Sequence, residues 1–171
     1  MRVFPVGVWI IMATLLTVSS CGFHLRGSNS ATALPDSWRK MHLVTSNPNS
    51  ELSREVAARF ASSGIEWVDR SEAAYIFNLG PEVFSQRNLS INAEARAAEF
   101  ELTMRSTFSV TEAGGEEEIK PTDAKVIKQM ENDPSNVVGK AEEVRILKDE
   151  MRTELAQQII RRIDFHVAST K

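Results

Sequence analysis

The hydrophobic positions of this 171-residue chain fall into three kinds of run. From Val3 to Val18 nearly every residue is apolar, with Pro5, Gly7 and Thr14 among the few interruptions. Between Phe100 and Val110 the pattern is strict alternation. Phe100, Leu102, Met104, Phe108 and Val110 interleave with Glu101, Thr103, Arg105, Thr107 and Ser109, and Ser106 alone breaks the apolar set. A period of two means a strand with one face on a core and the other toward water or a polar surface. Helical spacing appears twice. Leu52, Val56 and Phe60 recur every fourth residue, with Ala57 and Ala61 beside them, and a longer stripe runs through Ala141, Val144, Leu147, Met151, Leu155, Ile159 and Ile163.

Punctuation between these runs supplies the remaining elements. Trp38 to Thr45 reads as a short strand, and Asn47-Pro48 as the start of the first helix, with Asn47 as N-cap and Gly64 as the stop. Ala73 to Leu79 is rich in aromatic and branched residues, and Val83-Phe84 and Leu89-Ser90-Ile91 prolong it as one extended segment. Pro81 cannot donate to a ladder, which predicts an edge position or a bulge there. Glu112 to Glu116 reads as a hairpin turn, Glu116-Glu117-Glu118 as a solvated turn, and Pro121 to Met130 as the next strand. Asp133-Pro134 ends that strand, and Ser135 or Asn136 caps the final helix. The expected fold class is therefore α+β, with two helices packed on one face of a four-stranded mixed sheet in the order β-α-β-β-β-α.

The first apolar run is shorter than the roughly 20 residues a membrane-spanning helix needs, and it ends in small residues. It follows Arg2 and runs into Val18-Ser19-Ser20-Cys21, where Cys21 is the only cysteine in the chain. This is the pattern of a bacterial lipoprotein leader, cut just before a cysteine that becomes acylated. Residues 1–20 are then a signal peptide, 21–35 a lipid anchor and small polar tether, and 36–171 a single domain. Each buried methylene contributes about 0.8 kcal/mol, and two or more chains hold stably, so attachment to the membrane through Cys21 is permanent. Gly22 stands where an Asp would signal inner-membrane retention, which favours the outer membrane.

Composition narrows the function further. Without Arg2, 19 basic residues face 23 acidic ones, a net charge near −4 that argues against a nucleic-acid surface. His24, His42 and His166 have no partner at ligand spacing. No phosphate loop or nucleophile motif occurs, so neither enzyme activity nor a cofactor or metal is expected. Lys125 and Lys128 on the third meander strand, Lys140 near the start of the final helix and Arg96 in the turn before the alternating strand are the basic residues that would meet phosphate groups, helped by a nearby helix N-terminus. By spacing alone they read as ordinary surface cations.

The residues Cys21-Gly22-Phe23-His24-Leu25-Arg26-Gly27, together with Ala98-Glu99-Phe100, Asp123-Ala124-Lys125-Val126 and Asn132-Asp133-Pro134, resemble those of the LptE family of LPS-assembly lipoproteins. The resemblance covers nearly the whole chain. It implies a non-catalytic plug inside the outer-membrane barrel LptD that helps lipopolysaccharide reach the outer leaflet. It also implies a lipopolysaccharide contact at Lys140. The family's second contact, an arginine, falls by counting on Ala93, and Arg96 is the nearby substitute. The face bearing Glu101, Thr103, Arg105 and Thr107 suits a polar barrel lumen. The competing reading is an auxiliary lipoprotein, or a pilot of another envelope lipid transporter or channel, which shares the anchor and the α+β domain but should lack the opening motif. An envelope enzyme is a third reading, and the missing carboxylate or histidine constellation is the objection to it.

Overall fold

The computed structural model describes residues 34–91, 93, 97–132 and 137–170. Cys21, His24 and Arg96 lie outside the described residues, as do the cap positions Ser135 and Asn136. After a single 3-10 turn, Asp36–Trp38, the elements are β1 (Lys40–Thr45), α1 (Glu51–Ser62), β2 (Glu66–Trp67), β3 (Tyr75–Leu79), β4 (Val83–Ile91), β5 (Ala97–Glu112), β6 (Glu117–Glu131) and α2 (Val137–Ser169). The sheet has six strands rather than the expected four. Its path is β2-β1-β3-β5-β4, with β6 also paired to β5. It is mixed, because β1 runs parallel to β2 and β3 while every pairing of β5 is antiparallel.

The miscount has two physical causes. The two-residue β2 is too short to leave a pattern. The extended segment from Ala73 to Ile91 is one run in sequence but two strands in space, because Gly80-Pro81-Glu82 bulges out of the ladder. Leu79 pairs with Phe108 and Val83 with Arg105, so three residues stand opposite two. The bulge expected at Pro81 is therefore present. Ser106, the polar break in the alternation, is 3% exposed and faces this bulge. Its Oγ donates to the Gly80 carbonyl at 2.9 Å, and Gly80 N–H donates to Thr107 O at 2.8 Å. On the other flank of β5, the register with β6 slips between Phe108 and Val110, beside Pro121. Both prolines thus stand where a neighbour of β5 loses register.

β5 matches the alternation closely. Leu102, Met104, Phe108 and Val110 are buried, while Arg105 and Thr107 are exposed. The hairpin turn after it is also as expected, with Gly115 in the left-handed region at φ +92° and its N–H bonded to Glu112 O at 2.9 Å. β6 begins earlier than expected. Glu117 and Glu118 belong to the strand, not to a turn, and Glu118 accepts His166 Nε2 at 2.9 Å. Their charges sit on positions that a strand can leave in water, so composition misled there.

Both helices pack into one core with the even-numbered side of β5. In α1, Leu52, Val56 and Phe60 are buried as the stripe requires, whereas Ala61 is exposed. The cap is not Asn47. Ser50 Oγ accepts Ser53 N–H at 3.1 Å, and Asn47 contributes its carbonyl, which takes the Ser53 hydroxyl at 2.8 Å. Gly64 follows the helix in the left-handed region. In α2 the buried stripe is Met151, Leu155, Ala156, Ile159, Ile163 and Val167. Ala141 is exposed and Val144 and Leu147 only half buried, so the first third of this 33-residue helix lies mostly in solvent. Two polar clasps join the helices. Thr153 donates to Glu55 at 3.0 Å beside Arg59, whose guanidinium holds the Glu55 carboxyl below its ordinary range. Arg152 reaches Glu51 on α1 at 2.6 Å and Glu82 in the bulge at 2.7 Å.

A methyl group added at Gly80 would meet Thr107 O at 2.9 Å, whereas one at Gly114 would meet nothing within 4 Å. Gly80→Ala is expected to cost about 1–3 kcal/mol in urea unfolding, and Gly114→Ala under about 0.5 kcal/mol.

Candidate functional site

Two surfaces carry the sequence candidates. The first is the end of the sheet where β4, β5 and β6 finish near the start of α2. Lys140, in the first turn of α2, is half buried. Its Nζ lies 4.2 Å from the centroid of the Phe100 ring on β5 and donates to Asn132 Oδ1. Phe100 stands across from Met130 on β6 and Asn88 on β4. Lys140 therefore fastens the solvent-exposed start of the helix to the end of the sheet by a cation–π and a charge-assisted contact. It is an anchored cation with part of its surface still in water. At the same end, Ser90, Ala98, Glu99, Glu131 and Asn132 line a groove of about 460 Å³. Glu99 accepts the Ser90 hydroxyl at 2.9 Å and stands across from Glu131.

The second surface is the face of the sheet turned away from the helices. The odd-numbered positions of β5 line it, and pairing brings polar groups beside each of them. Arg87 grips Glu101 through Nε at 2.7 Å and Nη2 at 2.9 Å, a planar fork that holds the Glu101 carboxyl below its ordinary range. Thr107 donates to Asp123 at 2.6 Å. Arg105 lies directly across from Lys125, with Val83 on its other side. Like charges directly opposite each other destabilise a sheet, so this pair suits contact with an acidic or hydrogen-bond-accepting surface better than it suits the isolated domain. Beside it, Pro81, Val83, Arg105, Ser106, Thr107 and Asp123 line a cleft of about 250 Å³. Val83 and Ile127 are also open on this face, at 40% and 48% exposure. The alternation announced the face, but the Arg105–Lys125 pairing required the register.

Other candidates have structural roles. Lys128 is held by Glu150 at 2.9 Å and Glu154 at 2.7 Å on α2, and those carboxylates raise its pKa. His42 Nδ1 bonds to Val68 O at 2.9 Å. Among the described residues no three His, Cys, Asp or Glu side chains converge as a metal would require, and no helix is long and apolar enough to cross a membrane.

Residues 38–163 match the family model described as LptE, lipopolysaccharide-assembly. The chain belongs to the LptE family. It is similar to the LPS-assembly lipoprotein LptE of Yersinia pestis (strain Pestoides F), at 29% identity over 161 residues, which is 92% of this chain and 75% of that one. The protein of the same name from Yersinia pseudotuberculosis serotype O:1b matches over the same extent. The fold resembles the crystal structure of the rare lipoprotein B from Shewanella oneidensis, with TM-score 0.66 and 26% identity, covering 77% of this chain and 95% of that one. The solution structure of lipoprotein B from Nitrosomonas europaea shares the fold at TM-score 0.69 and 20% identity, over 84% and 90% of the two chains.

Lys140→Ala is expected to lower stability by about 1 kcal/mol. Hydrogen exchange should quicken in the first turns of α2 while amides between Met151 and Val167 stay protected.

Proposed function

We propose that this member of a non-enzymatic LPS-assembly lipoprotein family works as a plug within an LptD-type barrel of the outer membrane. In this reading Cys21 carries the acyl chains and Lys140, with Arg96, contacts lipopolysaccharide on its way to the outer leaflet. The observation that carries the reading is the open face of the sheet. Every second residue of β5 from Glu101 to Thr107 is polar and turned away from both helices, and Arg87, Lys125 and Asp123 join it from the neighbouring strands. Strand-built lumens are polar, and a plug must offer such a surface hydrogen-bonding groups in fixed positions. The ladder supplies that fixity, because each side chain stands on a strand paired along its length. The exposed Arg105–Lys125 pair gains most from such a setting, since acceptors in a lumen would relieve its repulsion.

The lipid has a distinct task. An acylated Cys21 holds the domain at the inner surface of the membrane, and the residues from Gly27 to Pro35 give it reach. Lys140 remains a phosphate contact in spite of its bond to Asn132, because an ammonium has three donors and a half-buried one keeps some of them in water.

Detergent extraction at native expression should bring down the chain together with a large outer-membrane barrel in near-equal amounts. Recovery of the chain alone contradicts the plug role. Lys140→Ala should weaken binding of purified lipopolysaccharide about tenfold, by loss of a charge-assisted bond, while Lys140→Arg retains most of it. Unchanged binding in Lys140→Ala removes that residue from the site.

A further inference from the structure

The sheet ends in three places, and they are treated differently. At one end β2 covers Lys40 and Met41 of β1 and leaves only the short stretch from His42 to Thr45. At β6, α2 runs antiparallel along the strand and guards its outer edge. His166 meets Glu118, Arg162 Nη1 donates to Asp123 O at 2.5 Å, Gln158 Oε1 accepts Lys125 N–H at 3.0 Å, and Lys128 meets Glu150 and Glu154. The third end is β4, nine residues long; α2 reaches it at the Phe84 ring, 4.2 Å from Lys148 Nζ, and among the described residues no side chain is bonded to its outer backbone groups.

The direction of the backbone groups on β4 follows from its neighbours. Thr107 O accepts Gly80 N–H, so odd-numbered positions of β5 turn their groups toward β3 and β4. Ala98 O accepts Asn132 N–H, so even-numbered positions turn toward β6. Val83, Ser85 and Arg87 pair with Arg105, Thr103 and Glu101 and bond inward. Phe84, Gln86 and Asn88 therefore turn their N–H and C=O groups outward, over about 14 Å of strand. Exposed edges are ordinarily blunted by lysine, proline, a bulge or a covering element. Between Val83 and Asn88 the strand has no lysine and no proline, its register irregularities begin only after Asn88, and its one charge, Arg87, is folded back onto Glu101.

We infer that the outer edge of β4 is a docking edge that takes an extended, uncharged segment of a partner protein as an added strand. The chemistry of the occupant follows from that of the edge. Outward backbone groups are satisfied by another extended backbone. A neutralised Arg87 offers nothing to a charged strand, and the exposed Val83 favours an apolar residue beside it. About five residues match the outward groups. The inference rests on the plug reading for one point, that the barrel supplies the segment.

Proline at position 86 removes one outward N–H and leaves the β4–β5 ladder intact, because that N–H is not part of it. The test compares full-length wild type, Gln86→Ala and Gln86→Pro by recovery of the barrel after detergent extraction, with urea unfolding to establish that each variant is folded. Wild type and Gln86→Ala should recover the barrel equally, and Gln86→Pro roughly tenfold less. A photo-crosslinking residue at Asn88 should form an adduct with the barrel. Wild-type recovery by folded Gln86→Pro overturns the docking edge and leaves the plug reading standing. Absence of the barrel from wild type overturns the plug reading itself. An Asn88 adduct only with a second copy of this chain, or none, overturns the docking edge.

Discussion

A single long strand has to serve neighbours on both sides, and the rest of this structure depends on how it does so. β5 spans 16 residues and pairs with β6 on one side and, in tandem, with β3 and β4 on the other. At about 3.4 Å per residue it is over 50 Å long, more than one small core can keep straight. The chain accommodates this at one level. Gly80-Pro81 breaks the ladder on one flank, Pro121 marks a slip on the other, and Ser106 supplies the hydroxyl that one of the broken carbonyls needs. The polar residue in the middle of an apolar face is thus the partner of a backbone group that the bulge releases, as buried polar groups require.

Two consequences reach function. First, alternation along β5 divides the molecule into a helix-covered side and an open polar side, and paired strands hold the polar groups of the open side in register. Second, α2 spends its length on β6. Its buried half closes the core, its side chains cap the outer edge of β6, and its exposed first third is tied down through Lys140, Phe100 and Asn132. Lys140 is then both a fastening and a candidate contact, which links any ligand bound there to the order of the helix start.

Much of this was legible in the chain. The alternation from Phe100 to Val110, the stripe of α1 and the buried half of α2 each report a single face against a single core, so periodicity alone finds them. Pro81 announced its bulge because a missing donor is a local fact. Other features were not local. β2 is two residues held by parallel pairing to a distant strand, and no pattern of its own betrays it. Glu117 and Glu118 looked like a turn because charge does not separate a loop from the wet face of a strand. The stripe from Ala141 to Leu147 implied burial, but a stripe cannot say where the covering sheet stops. Asn47 was a fair cap by type, and only the backbone geometry reveals that Ser50 takes that place. At the site, the sequence placed Lys140 correctly at the helix start, whereas its ring and amide partners and the Arg105–Lys125 opposition emerge only from the register.

That the open face of β5 works inside a polar lumen is tested most directly by a cysteine at one of its exposed positions. In permeabilised envelopes, Arg105→Cys should resist a water-soluble maleimide while the barrel is present and react once the barrel is depleted. Equal labelling in both conditions would contradict the account.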